Sequence, residues 1–265
     1  MTHGIVTAPQ PEAVEAGSII LKDGGNAVDA AISSALVQTV VDPMMCGIAG
    51  FGSLQLYIPE KNFHGFIDFH TTAPSSVKED MWEDQIAHEA RDGFGFILKN
   101  RANEVGYESI MTPGTLKGFY EAIQEFGTMP WADIIQPAID FAEEGFTISP
   151  AIDEFWDRSA GHGRISMDDK LRQNEMSRKI FLDEQGNPYP LGTRIKNIDM
   201  KQTLELIKQG GVDVFYSGEI AKKINDDMES NGGFLSDTDL KDYKTIRNEP
   251  LWGNYKGLKI ATNQP

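Results

Sequence analysis

A helix that must be buried on nearly every side constrains this chain more than any other feature. Residues 27–41 read Ala-Val-Asp-Ala-Ala-Ile-Ser-Ser-Ala-Leu-Val-Gln-Thr-Val-Val, almost all apolar or small. A helix of that composition has no solvent face and needs neighbours around it. Its start is written in Asp23-Gly-Gly-Asn26: the glycine pair ends a preceding helix, and Asn26 caps the next one. Asp29 falls three residues on, where a carboxylate suits the helix dipole. Asp42-Pro43 stops it, and Gly47-Ile-Ala-Gly-Phe-Gly52 follows. A glycine run leading into a strand marks backbone that approaches something closely.

Other elements are placed around this helix. Gly4-Ile-Val-Thr7 reads as a short strand. Residues 9–22 read as a helix, with Ala13, Ala16, Ile19 and Ile20 at helical spacing. Residues 53–59 alternate as a strand with Leu54, Leu56 and Ile58 on one face. A second strand spans 63–69, and Glu60-Lys-Asn62 turns between the two. Residues 77–101 are charged and expected to be partly helical, and 157–176 are expected to be a mobile polar connection. Thr112-Pro-Gly-Thr115 predicts a turn and N-cap for a helix over 116–126. Pro130 opens another helix that buries Ile134, Ile135, Ala138, Ile139 and Ala142 and ends at Gly145. A turn-rich hairpin is expected over 183–190. Amphipathic helices are expected over 200–208 and 217–229, stopped by glycine pairs. A segment over 235–243 is capped by Ser236, and a strand follows over 258–262. Repeats and low-complexity linkers are absent from the sequence, so residues 1–265 are read as a single α+β domain.

Composition excludes more than it assigns. The net charge of −16 argues against nucleic acid or anionic membrane as a partner, because both need a basic patch. No apolar run approaches the length of a membrane span. With one cysteine, an intramolecular disulfide and a CxxC metal site are both impossible. Cys46 sits in the apolar run Met44-Met-Cys-Gly-Ile-Ala49, which favours a buried structural thiol over a nucleophile. The opening Met-Thr-His-Gly-Ile-Val carries neither the charged nor the apolar region of a secretory signal, so the chain as given is expected in the cytoplasm. An exported precursor that has lost its leader reads the same way.

Three constellations could carry chemistry. Gly47-x-x-Gly-x-Gly is neither a Walker loop nor a dinucleotide fingerprint, since no Gly-Lys-Ser/Thr follows and it leads into a strand. His88 and Asp92, four apart in a charged run, are expected on an exposed helix face rather than around a metal. His70 stands apart. It ends a strand in Asp68-Phe-His-Thr-Thr-Ala-Pro74, just before the chain turns, where polar residues often build sites. The competing reading is a histidine hydrogen-bonded beside a turn, and the residues alone leave both open. No cofactor, no metal site and no catalytic residue is assigned within the chain.

Asp23-Gly-Gly-Asn-Ala-Val-Asp-Ala-Ala31, the Gly47–Gly52 run and Thr112-Pro-Gly-Thr-Leu-Lys-Gly118 together resemble the heavy-subunit start of the γ-glutamyltranspeptidase family. Phe126-Gly-Thr-Met-Pro130, Asp213-Val-Phe-Tyr-Ser-Gly-Glu-Ile-Ala221, Asn231-Gly-Gly-Phe-Leu-Ser236 and the stretch from Tyr255 to Pro265 extend the resemblance, in order, over nearly the whole chain. The resemblance implies the αββα sandwich of N-terminal-nucleophile hydrolases, this chain supplying helices and some strands. It implies a precursor that cuts itself into two subunits. A light subunit from the same precursor would then carry the nucleophilic Thr, and a small-molecule amide such as glutathione would be the substrate. On this reading the chain is a heavy-subunit portion and the nucleophile lies outside it.

One departure bears on substrate. Family members usually carry Arg-Glu where this chain has His70-Thr71, and the resemblance makes these two the substrate-binding candidates. The family Arg grips the α-carboxylate of the γ-glutamyl group, and an imidazole offers one well-aimed donor instead of a two-pronged set. That loss is worth about 1.5–3 kcal/mol, or one to two decades in affinity. A shifted acyl substrate is therefore expected. The alternatives are an ordinary glutathione hydrolase with a replacement cation, and a non-catalytic binding relative that never matures.

Overall fold

The computed structural model describes residues 4–156 and 163–264. Helix α1 spans Pro11–Lys22 and α2 spans Ala27–Val41. Gly24, at φ 98°, makes the reversal between them. The Asn26 side chain accepts from Val28 and Asp29 N–H, and the Asp29 carboxylate accepts the Asn26 N–H, a reciprocal cap. As its composition requires, α2 is buried along most of its length, from Val28 to Val41. In α1 the inward stripe is Ala13, Ala16, Gly17 and Ile20, so Ile19 lies a third of a turn off it and faces solvent, contrary to the spacing argument.

Strand β1 (Ser53–Ile58) and β2 (Phe63–Asp68) form an antiparallel hairpin, Ser53 opposite Asp68 and Ile58 opposite Phe63. A turn of 3₁₀ helix over Pro59–Lys61 and a left-handed Asn62 close it. The stretch expected to be partly helical holds one turn of 3₁₀ helix, Glu83–Gln85, and then the paired strands β3 (Ile86–Glu89) and β4 (Phe96–Leu98). Gly93 and Gly95 at positive φ turn the chain there, which a helix cannot accommodate. His88 therefore sits on an exposed strand, and Asp92 is engaged by Arg164 at 2.7 Å and 3.1 Å.

Helix α3 (Thr115–Phe126) and α4 (Trp131–Glu144) complete the packing around α2, and β5 (Phe146–Thr147) follows. Next come α5 (Pro150–Trp156), α6 (Met167–Gln173) and α7 (Glu175–Phe181). Expected as a polar connection, 163–176 instead holds α6 and the first two residues of α7. Ser166 caps the first and Asn174 the second through side-chain bonds to backbone N–H groups. Residues 157–162 of that expectation lie outside the described residues. Strand β6 (Arg194–Ile195) pairs with β5. Helix α8 (Ile198–Gly210) packs on α4, and α9 (Asp213–Tyr216), α10 (Glu219–Asn231) and α11 (Asp237–Asp242) follow it.

Strand β7 (Ile246–Asn248) adds to the open edge of β2, giving an antiparallel sheet in the order β1-β2-β7. Strands β8 (Leu251–Tyr255) and β9 (Leu258–Thr262) form a separate hairpin with Trp252 51% and Leu258 67% exposed. Gly4–Thr7 pairs with no strand among the described residues, so the expected opening strand is not formed. The result is α+β: helices wrapped around α2, with small antiparallel sheets beside them. One buried cluster runs from Ala13 to Tyr243. Among the described residues no helix is long and apolar enough to cross a membrane.

Candidate functional site

Three loops and one tyrosine meet at the end of β2. The Gly47–Gly52 loop hands over to β1, and Gly52 exchanges backbone hydrogen bonds with Phe69 (2.9 Å and 3.4 Å). A Cβ on Gly52 would lie 3.0 Å from the Phe69 ring, so the loop packs against that ring as closely as glycine permits. The carbonyl of Gly50 accepts from the N–H of Gly114 (2.9 Å) and of Thr115 (3.2 Å). This explains how α3 starts. The expected side-chain cap in Thr112-Pro-Gly-Thr115 is absent, and the glycine loop supplies the acceptor instead. Thr72 and Thr112 exchange backbone bonds at 3.3 Å and 2.9 Å, which ties the chain beyond His70 to the same turn.

His70 projects from this junction with its side chain half exposed. Its Nδ1 lies 2.7 Å from Asp68 Oδ1, and its backbone N–H donates to the same oxygen at 2.9 Å. The Phe51 ring lies 5.6 Å from the imidazole, centroid to centroid. From the far side, the Tyr243 hydroxyl donates to the His70 carbonyl at 2.8 Å. Tyr243 also stacks on Tyr216, whose own hydroxyl donates to the Pro113 carbonyl at 3.0 Å. Thr71 does not share the His70 position: its hydroxyl turns towards Met111 Sδ at 3.7 Å.

The electrostatics follow from these contacts. Partial burial pushes the Asp68 carboxyl up, but the His70 backbone N–H, the ring hydrogen bond and the ring charge together pull it below its usual range. Burial raises the Tyr243 phenol to about 12, with the Asp68 and Glu121 charges adding to the rise. Burial, then the Asp42 charge, raises the Cys46 thiol to about 11 against a Gln38 hydrogen bond. Cys46 therefore stays a thiol at neutral pH and is a poor nucleophile. It lines a cavity of about 690 Å³ behind the glycine loop, with Gln38, Thr39, Phe51, Phe69 and Thr115. Among the described residues no group of three or more His, Cys, Asp or Glu is arranged to hold a metal ion.

The sequence singled out His70 and Thr71 but gave no weight to Asp68 or Tyr243. Asp68 carried a usable signal, because residues two apart on a strand face the same way. Tyr243 carried none, since it reaches the site only through the packing of the segment after α11.

The γ-glutamyltranspeptidase family model matches residues 13–265. The acylase ACY 1 proenzyme of Pseudomonas sp. (strain SE83) is 35% identical over 267 residues, covering 100% of this chain and 45% of that protein. The glutathione hydrolase proenzyme of Bacillus subtilis (strain 168) is 33% identical, covering 99% of this chain and 42% of its own length. The chain thus spans less than half the length of these two relatives. The crystal structure of Helicobacter pylori γ-glutamyltranspeptidase superposes with a TM-score of 0.86 at 28% identity, covering 100% of this chain and 71% of that one. Matched by the family model from Ala13, in α1, to its last residue, the chain belongs to the γ-glutamyltranspeptidase family.

Proposed function

We propose that this chain is the larger-subunit portion of a γ-glutamyltranspeptidase-like amide hydrolase or acyltransferase, and that His70 and Thr71 line the pocket for the acyl group. The observation that carries this is the match over residues 13–265, read with the His70 junction on the same stretch. The nucleophile is a Thr at the new N-terminus of a partner light subunit cut from the same precursor. Its hydroxyl oxygen attacks the amide carbonyl, with its own α-amine as base, and the amine of the substrate leaves. The ester that remains is released by water or by a second amine.

The names of the two relatives, an acylase and a glutathione hydrolase, bracket the substrate. His70 in place of a two-pronged guanidinium favours an acyl group other than the unmodified γ-glutamyl unit. The test is the intact mass of the full-length gene product after purification. Two stably associated chains, the second beginning with Thr, support a self-processing amidase. A single uncut chain overturns it and favours a binding protein.

A further inference from the structure

Phe51 is held out of the fold by its neighbours. On one side the Gly50 carbonyl is fixed by the N–H groups of Gly114 (2.9 Å) and Thr115 (3.2 Å). On the other, Gly52 exchanges backbone bonds with Phe69 at 2.9 Å and 3.4 Å. Between these two fixed points the phenylalanine is 65% exposed, and the one ring paired with it among the described residues is the His70 imidazole at 5.6 Å. A single exposed apolar side chain would mean little. Here a second stands across the same junction: Met111, 43% exposed.

Met111 is placed as firmly as Phe51. The backbone pair between Thr72 and Thr112 sets the residues before them, Thr71 and Met111, side by side, and the Thr71 hydroxyl reaches Met111 Sδ at 3.7 Å. His70 and Thr71 thus have an aromatic ring beside one of them and a thioether beside the other. The charged side chain bonded to His70, Asp68, is taken up by that residue's own N–H and ring. What the junction leaves for a ligand is mostly apolar. An aromatic group suits both sides, since it stacks offset on a phenyl ring and meets a thioether favourably at its edge. Walls on a fixed backbone lose little freedom when they are covered.

We propose that Phe51 and Met111 determine specificity by holding an uncharged, aryl-bearing acyl group of the arylacetyl class between them. This rests on the placing of the acyl group at His70 and Thr71 under Proposed function. The two walls select by the apolar area they cover, so they act on binding and not on the bond-breaking step. A short acyl group such as acetyl reaches neither wall. A γ-glutamyl group brings two charges to a surface that offers a phenyl ring and a thioether, and it leaves those charges poorly paired.

The test uses the full-length, matured protein with phenylacetyl-, acetyl- and γ-glutamyl-p-nitroanilide. The phenylacetyl probe is expected to show the lowest KM, about tenfold below the acetyl probe. Phe51→Ala should raise the phenylacetyl KM by about tenfold and leave kcat, and the acetyl KM, in place. Met111→Ala should act in the same direction, and Phe51→Trp, which keeps an aromatic wall, should preserve the low KM. Equal KM for the phenylacetyl and acetyl probes, a lower KM for the γ-glutamyl probe, or an equal rise for all three in Phe51→Ala overturns the assignment. Loss of the light subunit from Phe51→Ala, read from its native mass, makes the ring an interface residue and overturns it too. His70→Ala separates this inference from the reading beneath it. If His70→Ala raises KM while Phe51→Ala and Met111→Ala change nothing, only the apolar walls fail. If none of the three changes KM for any probe, the acyl group lies elsewhere and both fail. Turnover of none of the anilides removes the amidase reading and the walls with it.

Discussion

Asp29, in the first turn of α2, accepts the Thr128 hydroxyl at 2.6 Å and the Thr128 backbone N–H at 3.0 Å. The same carboxylate closes the cap on Asn26 at 2.8 Å. One fully buried side chain thus starts the central helix and anchors the loop between α3 and α4 to it. The acid three residues after a capping Asn is more than a dipole device: it joins segments that are far apart in sequence.

Replacing Asp29 with alanine leaves the N–H groups of Asn26, Thr128 and Met129 and the Thr128 hydroxyl without this acceptor. The expected cost is about 3 kcal/mol, more than an exposed cap would lose. Asp29→Asn retains one acceptor oxygen and should fall between wild type and alanine. Denaturant midpoints of the three proteins, taken at constant slope, check the order.

Gly114 admits no side chain. A Cβ there would lie 2.0 Å from the Tyr243 hydroxyl oxygen and 2.2 Å from the Phe69 carbonyl oxygen. Gly114→Ala must push apart the tyrosine that holds the His70 carbonyl and the residue that precedes His70. It should cost about 1–3 kcal/mol in stability. It should also raise KM, because the imbalance falls on His70. Thermal melts together with steady-state kinetics check both parts.

Tyr243→Phe removes the donor to the His70 carbonyl and should cost about 1 kcal/mol, since that carbonyl can partly turn to water. The same residue sets an alkaline limit. Its phenol is raised from 10.0 to about 12 in the folded protein. Between those values the unfolded chain releases the proton and the folded one retains it, so the folded state binds more protons. Stability is then full below pH 10 and declines as pH climbs towards 12. Tyr216 is raised in the same direction by burial and adds to the decline. Unfolding midpoints from pH 9 to 11.5 should fall less steeply in Tyr243→Phe than in wild type.

On the proposed reading of His70, His70→Arg places a two-pronged cation against the acyl group. KM for glutathione should drop by about ten- to a hundredfold, the range set by one charged hydrogen-bond pair. Initial rates over a glutathione series in the two proteins decide it. An unchanged KM would mean that the γ-glutamyl carboxylate is held by another group.

Where local signals were strong, the sequence could be read directly. Asn26, Asp29 and Asp42-Pro43 bounded α2, and the alternation of Leu54, Leu56 and Ile58 placed β1. His70 was legible because a polar residue at a strand end is out of keeping with the strand before it. Charge told only part of 77–101: a run of Asp, Glu and Lys reads as helix surface and one 3₁₀ turn forms at Glu83–Gln85, while Gly93 and Gly95 set the hairpin. The short helices α6 and α7 lack an apolar stripe and rely on their caps, so periodicity passed over them. The acceptor that starts α3 was out of reach of any local reading. Its partner, the Gly50 carbonyl, is brought up only by the folded loop.

The β8–β9 hairpin has a consequence for how the protein is made. A lone two-stranded ribbon is marginal in water, and this one shows Leu251, Trp252, Tyr255, Leu258 and Ile260 to solvent. Among the described residues its two edges pair with no further strand, and such edges accept whichever strand arrives first. A covering segment tethered in the same polypeptide arrives at an effective concentration of about a millimolar, ahead of stray copies in a dilute cell. Produced without such a tether, the ribbon is left to pair with itself, and the yield of dispersed protein should fall as expression rises.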